Sequence, residues 1–116
     1  MIDPYTLTFE SFPRYRTWPF TKVADAAALS RATAEEVTAE LARAETEGGA
    51  LMVICPVGPI DYSHWAEAMN RRQTDGSRLV TVNMDEYLDE SGHLVPLSHP
   101  LSFRRFMNEA LFDRLT

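Results

Sequence analysis

Two carboxylates, Asp85 and Glu86, follow directly on the apolar stretch Val80-Thr81-Val82-Asn83-Met84, and Tyr87 follows them. A carboxylate just past a strand is held by rigid backbone beside a crevice. That suits a general base, which has to come within hydrogen-bond reach of a carbon-bound proton. An acid in this position can equally cap a turn or a helix. Glu86 is expected to shape a pocket or pair with a basic group, and Tyr87 to pack under the following loop. Asp85, Glu86, Asp89 and Glu90 could be drawn around a divalent cation, but their spacing announces no fixed ligand geometry. A solvated acidic loop with no metal is the expectation.

A second group of interest is Cys55-Pro56-Val57-Gly58-Pro59-Ile60-Asp61-Tyr62. A glycine-bearing turn between strand and helix presents backbone N–H groups at a helix N-terminus, a ready place for an anion. Gly58 supplies the turn and Pro59 suits a helix start; an ordinary strand-to-helix connection would use the same residues. Further on, Pro100 holds its neighbour extended, and Ser102 is a good N-cap for the helix that begins there. Arg104 and Arg105 read as surface charges on that helix rather than anion ligands. Cys55, at the end of an apolar run, reads as an inert small hydrophobe.

The phrase Asn83-Met84-Asp85-Glu86-Tyr87, followed by His99-Pro100-Leu101-Ser102-Phe103, resembles the glucosamine-6-phosphate deaminase family, over roughly residues 51–113. The resemblance implies a Rossmann-like parallel sheet flanked by helices, with this chain carrying only the N-terminal half of that domain. It implies an enzyme, as part of a longer isomerase and deaminase, that converts glucosamine 6-phosphate to fructose 6-phosphate and ammonia. Asp85 then moves a proton between C2 and C1 of the opened sugar. No cofactor is implied, because the substrate's own amine and carbonyl stabilise the intermediate. The implied substrate contacts are Gly58, Pro59, Glu86 and Ser102. The family's turn carries Ser or Thr hydroxyls where this chain has Cys55 to Pro59. Its remaining catalytic groups lie in the later half, so His64, His93 and His99 are not assigned to their roles. Related phosphosugar lactonases carry Asp-Glu-Arg at the motif, so Tyr87 favours the deaminase branch. A non-catalytic sugar-phosphate-binding or interaction module is the alternative from a different class.

The elements that must position these groups follow from composition and period. Residues 5–10 alternate like a strand, inside an irregular N-terminal segment, residues 1–20, whose Trp18 and Phe20 are expected to pack on the domain. Residues 22–47 are rich in Ala, Leu and Glu and read as helix. Thr33-Ala34-Glu35-Glu36 has capping-box form, so a fresh helix starts there or one long helix runs through it. Val37, Leu41 and Ala44 form its apolar stripe, and Gly48-Gly49 ends it. Leu51–Cys55 is a continuous apolar run, expected as a strand buried on both faces. Residues 61–72 read as a helix with Tyr62, Trp65, Ala66 and Met69 facing inward, 78–84 as the next strand, 88–100 as loop, and 102–115 as the last helix. Alternating strands and helices argue for a parallel sheet, whose ligands collect beyond the carboxyl ends of the strands. Asp85 and the Gly58 turn both sit at such ends.

At 116 residues, with 45% hydrophobic and 24% charged residues, the chain makes a single α/β domain or the N-terminal part of one. Its net charge of −6, with no basic stripe, argues against nucleic acid and anionic membranes as partners. One cysteine permits no internal disulfide and fits a reducing, cytoplasmic setting. The expected partner is a phosphorylated amino sugar. Half of a parallel sheet leaves a strand edge unpaired, so a homo-oligomer or association through that edge is also expected.

Overall fold

The computed structural model describes residues 4–6, 8, 11 and 21–116. Helix α1 spans Ala26–Thr46, strand β1 Leu51–Cys55, helix α2 Ser63–Arg72, strand β2 Leu79–Asn83 and helix α3 Phe103–Ala110. Short 3-10 turns cover Pro4–Thr6, Gly76–Arg78 and Phe112–Arg114. Tyr5 and Thr6 therefore sit in a 3-10 turn, not in the strand their alternation suggested. Pro4 presets the backbone dihedral such a turn needs, and the described sheet offers no partner there. The rest of that stretch apart from Thr8, together with Trp18 and Phe20, lies outside the described residues.

Helix α1 is one continuous helix. Asp25 caps it, its carboxylate accepting the Ala28 N–H at 2.7 Å, so the capping-box sequence at Thr33 lies inside the helix. The buried ridge runs through Ser30, Ala34, Thr38 and Leu41; Leu41 is buried as expected, while the rest of the ridge lies one row away from Val37. These are mostly small side chains, and they let α1 come close to α2. The hydroxyls stay satisfied in the interface: Ser30 donates to the Ala26 carbonyl at 3.0 Å and Thr38 to the Ala34 carbonyl at 2.7 Å. Val37 packs at the margin of the core. The helix ends at Gly48, whose φ of 72° is the left-handed cap. The N–H groups of Gly48 and Gly49 close back onto Glu45 and Ala44.

Strands β1 and β2 pair in parallel, from Leu51 opposite Leu79 to Cys55 opposite Asn83. The chain is thus mixed α/β, with a two-stranded parallel sheet and α2 as the crossover. On one face, Leu51, Val53 and Leu79 pack against the core, where Cys55 and Leu41 meet Tyr62, Trp65, Ala66 and Met69 of the α2 region and Met107 and Leu111 of the α3 region. All four inward-facing residues expected around α2 are buried. Among the described residues, nothing packs on the other face. Met52 and Ile54 of β1 are 67% and 61% exposed, so β1 is not buried on both faces. A continuous apolar run carries no record of whether one face or both are covered, and here the described helices pack on one side only.

The segment 88–100 is more ordered than a loop. Leu88 and Leu94 form an antiparallel bridge, Gly92 turns the chain at φ 78°, and Asp89 holds the turn by accepting the N–H groups of Ser91 and His93 at 2.9 Å. Val95 is buried and donates its N–H to the Tyr87 carbonyl at 3.1 Å.

Candidate functional site

Two connections leave the carboxyl edge of the sheet side by side, because Cys55 pairs with Asn83 and the Met84 N–H continues the ladder to the Cys55 carbonyl at 3.0 Å. One is the turn through Gly58 and Pro59 into α2. The other runs through Asp85, Glu86 and Tyr87 toward α3. Between β2, the 88–100 hairpin and α3 lies an open groove of about 640 Å³. Strand alternation sends Thr81, Asn83 and Asp85 to it; Leu94 and Leu97 of the hairpin and Met107, Asn108 and Phe112 form the other walls.

Asp85 is exposed at this groove, and among the described residues its carboxylate makes no hydrogen bond or ion pair. Glu86, the next residue, is the opposite case. Its side chain is only 9% exposed, and it spans the gap to the start of α3. It accepts the Phe103 N–H at 2.8 Å, the Arg104 N–H at 3.0 Å and the Ser102 hydroxyl at 3.3 Å, and pairs with the Arg104 guanidinium at 3.3 Å. Burial pushes this carboxyl up. The N–H groups of Phe103, Arg104 and Tyr87 and the Ser102 hydroxyl outweigh burial and hold it down at about 2. Negative charge at a helix N-terminus is also favoured by the helix dipole. The capping role that was the alternative for Asp85 therefore belongs to Glu86, which also pairs with a basic group as expected, and among the described residues Asp85 is left free.

Ser102 caps α3 as expected, accepting the Arg105 N–H at 3.3 Å. It is 2% exposed, and its hydroxyl is engaged by Glu86, so it acts on the groove through Glu86. Arg104 is not a loose surface charge. It is half-buried, lines the groove and donates to both Glu86 and the Val95 carbonyl, which ties hairpin, motif and helix together. Tyr87 is about half exposed and meets Phe103 edge-on, with ring centroids 5.0 Å apart.

Gly58 and Pro59 are exposed on the neighbouring turn and do not line the groove. At the start of α2, the Asp61 N–H is taken by the Ser30 hydroxyl at 3.0 Å, and the Asp61 carboxylate accepts the Ser63 N–H at 3.0 Å. The Ser63 hydroxyl, and then its N–H, hold that carboxyl below its ordinary range. The chain's own acid therefore occupies part of the place where an incoming anion would bind. Cys55 is buried, and burial pushes its thiol up against a smaller opposing hydrogen bond from Tyr62, as expected of an unreactive packing residue.

Two further residues of the groove carry chemistry. Asn83 Nδ2 is buried there without a hydrogen-bond partner. A buried donor left unpaired is costly, and an acceptor on a bound molecule would satisfy it. Thr81 adds a hydroxyl on the same wall. Asn83 opens the phrase that runs on to Asp85, Glu86 and Tyr87, whereas the only signal for Thr81 in the sequence is its even spacing from Asp85. Among the described residues, no group of three or more His, Cys, Asp or Glu is placed to hold a metal ion, and no helix is long and apolar enough to cross a membrane.

Set against models of protein families, against curated proteins and against solved structures, the chain matches none of them.

Proposed function

We propose that the groove at the carboxyl end of β2 is a sugar-phosphate site of the glucosamine-6-phosphate deaminase kind, with Asp85 as its proton-transferring base. The observation that carries this reading is the division of labour between two adjacent acids. Glu86 is consumed in building the site, and Asp85 is presented to the groove with nothing else to do. A groove of about 640 Å³ falls in the usual range for small-molecule sites, and Asn83 offers an unpaired donor within it. In the proposed reaction, Asp85 takes the proton from C2 of the open-chain amino sugar and returns it to C1. The imine left at C2 is hydrolysed, water entering as ammonia leaves. The Gly58–Pro59 turn, beside the groove, receives the phosphate. The setting is cytoplasmic, in keeping with the free Cys55.

A second reading is favoured by a specific observation. The Asp61 carboxylate already accepts the first N–H of α2, from Ser63, so phosphate at the Gly58 turn meets a carboxylate of like charge. A module that binds a sugar phosphate weakly, without turning it over, accommodates this better than an efficient enzyme does.

Ammonia release from glucosamine 6-phosphate, measured for the native chain and for Asp85→Asn, separates the two. The deaminase reading expects release that disappears in the variant while the melting temperature stays put, because Asp85 makes no contacts to lose. Unchanged release in Asp85→Asn would remove Asp85 from its assigned role. A melting temperature raised by glucosamine 6-phosphate, without release of ammonia, identifies the binding module.

A further inference from the structure

The bare face of the sheet is an ordered apolar plaque. Met52 lies opposite Val80 and Ile54 opposite Val82 in the ladder, so four aliphatic side chains form a two-by-two array on one plane. Met84 lengthens it by one position, since its N–H still bonds to β1. Val80, Val82 and Met84 are 44%, 42% and 61% exposed. No even-numbered position from 52 to 54 or from 80 to 84 is polar or charged. Parallel strands rarely leave such a surface to water, because their ladders are normally covered on both sides.

We propose that a second copy of this chain covers the plaque, the two bare sheet faces stacking across a two-fold axis. Three features select this occupant. The plaque is uncharged on a chain of net charge −6, so it is the region where two copies approach without bringing like charges together. An isologous contact brings the same patch of both copies together, and sheets stack face to face by interdigitating aliphatic side chains of this kind. Each copy exposes roughly 500 Å² there, which puts the pair at about 1,000 Å², the lower bound for a specific contact and the size of a weak, reversible dimer. Edge pairing between two β2 strands in register about a dyad normal to the sheet would leave both plaques exposed and side by side. Face stacking removes both from water at once.

The test is sedimentation velocity of the native chain over a concentration series, beside Ile54→Lys and Val80→Lys. Both positions are solvent-exposed in the single chain, so folding is expected to survive, and far-ultraviolet circular dichroism checks that it has. A concentration-dependent dimer is expected for the native chain, with each lysine weakening association at least tenfold. A variant that loses its fold is replaced by Met52→Lys, at the most exposed position of the plaque. A native chain that sediments as a monomer throughout, as it would if another part of this chain lay on the plaque, overturns the proposal. So does association that survives both lysines, which would point to the strand edges.

Discussion

Asp85 and Glu86 show how little residue type says about role. They are adjacent acids with opposite fates, one free at a groove and one locked beneath the start of α3. Removing the locked one has a defined cost. Glu86→Ala strands the N–H groups of Phe103 and Arg104 and frees the Arg104 guanidinium, and charge-assisted bonds of this kind are worth about 2–3 kcal/mol in a partly buried site. Chemical denaturation should show a loss of that order, whereas Asp85→Asn should stay within about 0.5 kcal/mol of the native chain. Glu86 also sets an acid limit. Its folded pKa of about 2 lies below the ordinary value of 4.5. The stabilisation it provides is therefore complete above the ordinary value and fades as the pH falls from there toward 2. Melting curves recorded down that range should show native stability dropping more steeply than that of Glu86→Gln, which has no charge to lose.

At the scale of elements, the strands and helices next to the site were largely legible. Trp65, Ala66 and Met69 repeat at helical spacing, Leu51–Cys55 is a bounded apolar run, and Asp75-Gly76 breaks the chain where β2 is about to begin. These are local signals, and local signals survive in a sequence. Three things did not. The Glu86 anchor joins residues 16 to 18 positions apart, and no periodicity marks a partner at that distance. The one-sided burial of β1 depends on what packs against the sheet, which a run of aliphatic residues does not record. The ridge of α1 shifted to Ser30, Ala34 and Thr38 because close approach of two helices favours small side chains over the more hydrophobic Val37. Glycine offers a test at this scale. Gly48 sits at φ 72° with open space around it, so Gly48→Ala should cost about 1 kcal/mol from backbone conformation alone. Gly58 also faces open space but does not hold a positive φ, so Gly58→Ala should leave the melting temperature nearly unchanged.

For the whole molecule, the core sits on one side of the sheet, assembled from α1, α2 and the α3 region around Leu41. That leucine is fully buried, and Leu41→Ala should destabilise the chain by about 2–5 kcal/mol, the span depending on how far the helices close over the gap. The stability of the native chain should also depend on how much of it is present. If two copies share their sheet faces, the melting temperature rises with protein concentration by mass action. In Ile54→Lys that dependence should flatten, which calorimetry at two well-separated concentrations would show.

The alternation along β2 sorts its residues into two unlike populations, Thr81, Asn83 and Asp85 toward the groove and Val80, Val82 and Met84 toward the outer face. This leaves the strand intolerant of insertion. One added residue between Leu79 and Asn83 would turn valines and a methionine into the groove and present the polar set outside. Gene variants that lengthen or shorten this stretch by a single codon should therefore be far more damaging than ones that alter the 88–100 hairpin by the same amount. A two-codon change, which restores the parity of the strand, should be the milder lesion of the two.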